Sequence, residues 1–67
     1  MVTITVNGER QEFQEAPTIA EMLARLGAPV SAVAVEVNRV IVPRRVHVDR
    51  RLEEGDEVEV VTFVGGG

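Results

Sequence analysis

The chain contains no cysteine, no lysine, no tryptophan and no tyrosine, and it has a single histidine. Without cysteine there is no disulfide, no thiolate metal site and no thiol nucleophile, a composition compatible with the cytoplasm. His47 lies between Val46 and Val48 in a polar stretch, where it reads as a solvated surface residue. With no cysteine and no second histidine, the usual zinc ligand sets cannot be assembled, so no metal site is expected. Positive charge is also scarce. Net charge is −4, which argues against a nucleic-acid partner, because phosphate binding needs concentrated cations. No apolar run approaches the length of a membrane span. The opening residues lack the basic-then-apolar order of a signal peptide.

All seven basic residues are arginine. Compositional bias would account for that. A second reading is that a lysine-free surface offers an activated carboxyl group no side-chain amine to attack it.

What is present suits one small domain with a thin core. The chain has 67 residues, 45% of them apolar, and valine, whose stiff χ1 suits pleated strands, dominates. Val2-Thr3-Ile4-Thr5-Val6 alternates with period two, the mark of a half-buried strand. Asn7-Gly8 then favours a tight hairpin, since both residues accept positive φ, and the return strand is expected at Glu9–Phe13. Thr18-Ile19-Ala20-Glu21 is a capping box. Ile19, Met22, Leu23 and Leu26 follow at the spacing of one apolar helical stripe, with Met22 read as core filler. Gly27 is placed for a left-handed C-cap, and Pro29 prevents continuation.

Alternation returns from Ala32 to Val37, and Asn38-Arg39 turns the chain into Val40-Ile41-Val42, which Pro43 ends. Residues 44–52 are polar and irregular, with Leu52 the expected anchor. Glu54-Gly55-Asp56 reads as a tight turn before a strand over residues 57–64. That strand places Val58, Val60, Thr62 and Val64 on one face and Val61 and Phe63 on the other. Its last third is apolar on both faces, as in a central strand or one whose outer face meets a partner. The pattern predicts an α+β, β-grasp fold: a mixed sheet of four to five strands with one helix packed across it. A right-handed crossover would set the first and last strands side by side and parallel. Residues 1–64 form this domain and residues 65–67 a flexible glycine tail.

No catalytic set emerges. Ser31 has no His-Asp partners nearby in sequence and falls at the start of a strand. Glu53, Glu54, Asp56, Glu57 and Glu59 are charges that turns and exposed strand faces ordinarily carry. Gly65-Gly66-Gly67 is not a phosphate loop, because no helix follows to hold an anion. It does place an α-carboxylate on a narrow stalk that can enter a channel closed to bulkier residues. Three residues reach roughly 10 Å, and ordering them costs about 1–2 kcal/mol each, a penalty suited to reversible docking. On the residues alone, a frayed terminus or an expression remnant remains an equal alternative.

Three segments together resemble the sulfur carrier proteins of thiamine biosynthesis, the ThiS family. They are the capped helix over residues 18–26, the run Ala34-Val35-Glu36-Val37-Asn38-Arg39-Val40-Ile41-Val42-Pro43-Arg44, and the ending Leu52-Glu53-Glu54-Gly55-Asp56-Glu57-Val58-Glu59-Val60 through Gly67. The resemblance covers essentially the whole chain and implies a ubiquitin-like β-grasp. It also implies that the protein is a carrier rather than an enzyme, binding no cofactor itself. Gly67 would be the modified residue, adenylated by an E1-like enzyme using ATP. Sulfur from the persulfide of a cysteine desulfurase system would then convert it to a thiocarboxylate, which delivers sulfur to thiazole synthase. Gly66 and Gly65 would enter the partner active sites. Val61, Phe63 and Ile41 are candidates for the docking face, with a core role as the alternative, and a monomer is expected.

Many members carry an aromatic residue where this chain has Arg45-Val46-His47-Val48. Three rivals stand beside this reading: the small subunit of molybdopterin synthase, a ubiquitin-like protein modifier, and a β-grasp interaction module without covalent chemistry. The first tends to be longer, with proline near the segment where this chain has Thr62-Phe63-Val64.

Overall fold

Two tight turns with asparagine at their first corner organise the sheet. In a computed structural model, which describes residues 1–28 and 33–63, Asn7 and Asn38 both sit at φ 51°. Such left-handed corners match the twist of the strands they join. The first turn folds β1 (Val2–Val6) against β2 (Glu9–Phe13), and the second folds β3 (Val33–Val37) against β4 (Val40–Val42). The last strand, β5 (Glu57–Thr62), runs between the two hairpins, giving the order β2-β1-β5-β3-β4. It pairs parallel with β1 through Thr5↔Glu57 and Val6↔Val58, and antiparallel with β3 from Val37↔Val58 to Val33↔Thr62. The expected central, parallel placement of the terminal strands is therefore found. Pairing stops at Thr62, so Phe63 lies beyond the strand expected over residues 57–64. The positions expected of Pro29, Ser31, Ala32, Val64 and the three terminal glycines fall outside the described residues.

The helix α1 (Ile19–Leu26) forms where its punctuation predicts. Thr18 Oγ1 accepts from the Glu21 amide at 3.1 Å, and Glu21 Oε1 accepts from the Thr18 amide at 2.8 Å, which satisfies two orphan donors reciprocally. At the other end Gly27, at φ 73°, lets its own amide reach Ala24 O and the Ala28 amide reach Leu23 O. Ile19, Met22 and Leu23 are fully buried against Ile4, Val35, Val58 and Leu52. Leu26 departs from the expected stripe. It is 38% exposed, because the helix ends at the sheet margin, where Leu26 borders a shallow depression with Val60 and Thr62.

The segment expected to be polar and irregular hides a second departure. A 3₁₀ turn at Arg44–Val46 rolls the chain so that His47 points inward, at 2% exposure. Its Nε2 lies 3.1 Å from Val42 O, and since a carbonyl can only accept, this nitrogen carries the proton. Nδ1 has no hydrogen-bond partner. The expectation of a solvated histidine is thus wrong. The backbone of His47 is tied on both sides, its amide donating to Arg44 O and its carbonyl accepting from the Ala20 amide, so the turn is held against the start of the helix. Leu52 is the anchor expected, wholly buried, with its amide on Pro17 O at 2.8 Å.

Candidate functional site at the exit of the central strand

Residues 64–67 follow, in sequence, the strand with neighbours on both sides, and side chains as well as ladder bonds hold that strand. β1 ends at Val6, four residues short of the level at which β5 stops. The carboxamide of Asn7 extends the pairing. Its Oδ1 accepts from the Val60 amide at 2.8 Å and its Nδ2 donates to Val60 O at 3.1 Å, while the Asn7 amide donates to Val58 O. Asn38 does the same at the strand's start: its Oδ1 accepts from the Glu57 amide at 2.9 Å and its own amide donates to Glu57 O at 2.7 Å.

The acidic cluster is divided by the fold. Asp56 Oδ2 accepts from the Glu53 amide and its Oδ1 from Asn38 Nδ2, and Glu54 Oε1 accepts from the Thr3 amide. Gly55, at φ 86°, brings its amide to Thr3 O at 2.8 Å. Asp56 and Glu54 are therefore turn builders. Glu57 and Glu59 are exposed and share the outer, helix-free face of the sheet with half-buried Glu36, which pairs with Glu59. Among the described residues no group of three His, Asp or Glu side chains is placed to hold a metal ion.

The three docking candidates are all accessible: Ile41 at 69%, Val61 at 50% and Phe63 at 59%. Val61 pairs with Ala34 and Ile41 with Glu36. The two therefore lie on one face of the sheet, two strands apart and diagonally offset across β3. Phe63 follows directly after β5. Val61 and Ile41 are exposed apolar positions on the face that also carries Glu36 and Glu59. The core alternative does not hold for Ile41 and Val61, since the inward positions of their strands are taken by Val42 and Val58, and Phe63 is exposed as well.

Over this geometry the family model for the ThiS family matches residues 4–67. The chain belongs to the ThiS family. A crystal structure of the thiamine biosynthesis protein ThiS from Geobacter metallireducens superposes with a TM-score of 0.83 at 32% identity, covering 98% of this chain and all of that one. The five-stranded ThiS sheet, with one α-helix among the described residues, is thus the ubiquitin-like β-grasp expected.

Among curated proteins, the chain is 38% identical over 64 residues to a thiazole synthase of Paramagnetospirillum magneticum. It is 30% identical over 66 residues to the uncharacterized protein ycf40 of Porphyra purpurea, of which it spans 93%. It covers 96% of itself but only 20% of the thiazole synthase, and the same share of a second one from Magnetococcus marinus. ThiS proteins are small sulfur carriers of thiamine biosynthesis rather than catalysts.

Sequence reading missed the clamps of Asn7 and Asn38 on β5. Both asparagines were visible as turn residues, but their second role needs β5 to lie alongside, which only the sheet order provides.

Proposed function

We propose that this chain carries sulfur on the carboxylate of Gly67. The carboxylate is first adenylated by an E1-like enzyme using ATP. The physical need is plain: an oxide is too poor a leaving group to be displaced by sulfur, whereas AMP departs with the electron pair of its C–O bond. The outer sulfur of a persulfide from a cysteine desulfurase system then attacks the acyl carbon and expels AMP, giving an acyl disulfide. A thiol of a partner protein attacks the inner sulfur, forming a disulfide with it and releasing the thiocarboxylate that thiazole synthase consumes. Gly66 and Gly65 give the stalk a backbone without Cβ atoms, so that it fits a narrow channel.

The observation that carries this reading is the family match running to residue 67, in a chain whose last described strand is the central one. Two thiazole synthases contain a segment resembling nearly this whole chain, which supports a thiazole synthase as the acceptor. The exposed Ile41, Val61 and Phe63 are the proposed docking surface, because partner contact there would bury apolar area next to the stalk.

Incubation with an E1-like enzyme, ATP and a sulfur source, followed by sulfur-selective alkylation, tests the proposal. The expected product is a thiocarboxylate at Gly67. Normal loading of a variant with one residue added after Gly67 would refute it.

A further inference from the structure

We infer that the domain is inert toward its own activated C-terminus, so that an acyl group at Gly67 reacts only with a nucleophile brought by another protein; this rests on the reading of Gly67 as the activated group. Activated acyl groups in water are captured by amines, thiolates and imidazoles, whereas serine and threonine hydroxyls need an adjacent base. The chain has no cysteine and no lysine. Its basic residues are all arginine, and a guanidinium is not a nucleophile. Its only imidazole is sealed in the core, His47 being 2% exposed with Nε2 engaged by Val42 O at 3.1 Å.

One amine remains in the 67-residue chain, the α-amino group of Met1, a residue 78% exposed. The topology removes it from reach. Because β1 and β5 run parallel, with Thr5 opposite Glu57, Met1 lies at the end of the sheet where β5 begins and Phe63 at the end where it finishes. The Gly55 amide on Thr3 O marks the first of these ends. Ten strand steps at about 3.3 Å separate Met1 from Phe63, roughly 33 Å. Four residues beyond Phe63 span at most about 14 Å. An antiparallel pair of terminal strands would have brought amine and carboxyl together. The parallel pair holds them apart, so the molecule neither cyclises nor presents a lysine on which copies of itself could be strung.

The test uses a thioester of the full chain, made chemically at Gly67 so that no adenylating enzyme is involved, at ~10 µM in mildly alkaline buffer. In aminolysis the amine lone pair forms the C–N bond, the C–S bond breaks with its electrons leaving on the thiol, and the ammonium proton passes to buffer. The amide product is one water lighter than the hydrolysed acid by intact mass. Thr62→Lys and Glu9→Lys place an amine at the tail's end of the sheet, where both positions border one depression. Thr62→Arg matches the charge without the nucleophile. Gln14→Lys places an amine at the far end, next to Phe13, which pairs with Val2.

A tethered amine acts at a millimolar effective concentration, so the near lysines should form amide roughly a hundredfold faster than the wild type at that protein concentration. Wild type, Thr62→Arg and Gln14→Lys should lose the thioester almost entirely by hydrolysis, with amide forming only at the slow rate set by encounters between copies. Amide formation by the wild type within a few-fold of the near-lysine variants, or none in either of those variants, overturns the proposal. Adenylation by an E1-like enzyme with ATP is scored separately, so failure of the carrier reading and failure of this proposal give different results.

Discussion

The carboxamide of Asn7 grips Val60 by both its backbone groups, accepting from the amide at 2.8 Å and donating to the carbonyl at 3.1 Å. A side chain thereby does the work of the next residue of β1 and carries the pairing on that side of β5 as far as Val60. Asn7→Asp keeps the left-handed corner and the acceptor but turns the donor into a second carboxylate oxygen facing Val60 O. It should cost about 0.5–1.5 kcal/mol, the net range of a single hydrogen bond. Urea unfolding together with faster amide exchange at Val60 would show it. An unchanged midpoint and unchanged exchange would mean that the clamp contributes nothing.

His47 offers a sharper contrast. His47→Ala removes a buried ring and its bond to Val42 O, and should destabilise by roughly 2–4 kcal/mol. The neighbouring Arg45→Ala, at an exposed position, should stay within about 0.5 kcal/mol of the parent. Equal midpoints for the two variants in thermal or chemical unfolding would contradict the burial of the ring.

Within the helix, the cost of truncation should fall along the apolar stripe. Leu23 is wholly buried and Leu26 is 38% exposed. Leu23→Ala is expected to lose about 2–5 kcal/mol and Leu26→Ala about 1 kcal/mol or less. Denaturation curves of both variants, measured in parallel, check the gradient.

Docking should respond to charge on the outer face while folding does not. Val61→Asp adds a carboxylate beside Glu59 and Glu36 on an exposed position. It should raise the KM for loading by an E1-like enzyme about tenfold, equivalent to ~1.4 kcal/mol, with little change in the far-ultraviolet circular dichroism spectrum. Loading at the parental KM would remove Val61 from the docking surface.

Stalk width should act on rate. Gly66→Val introduces a branched Cβ where the channel reading demands none, and a misplacement of about 1 Å at a reacting centre can cost 10²-fold. A loss of that order in kcat/KM for loading, at unaltered domain stability, is the expected result. Wild-type turnover would show that the channel accepts side chains.

Local chemistry was enough to place most elements from the residues alone. The Asn-Gly hairpin, the Thr18–Glu21 capping box, the Gly27 cap and the alternating valines each act over a few residues, and all recur in the structure. The resemblance to the ThiS family rested partly on Asn38, Gly55 and Asp56, and the structure shows these to be builders of turns rather than agents of chemistry. What escaped the sequence depends on partners distant along the chain. His47 looked like a surface residue because its neighbours are polar, yet a single 3₁₀ turn at Arg44–Val46 rotates it inward. Leu26 fits the helical stripe by spacing, but where the sheet margin lies is decided by all five strands together.

The absences noted first ended with a firmer meaning. That the chain has no thiol and no side-chain amine is legible in its composition. That its one imidazole is enclosed, and Met1 held at the opposite end of the sheet from Phe63, follows only from packing and from the parallel pairing of β1 with β5. Composition lists the reactive groups a chain possesses; their distance from one another is a property of the fold.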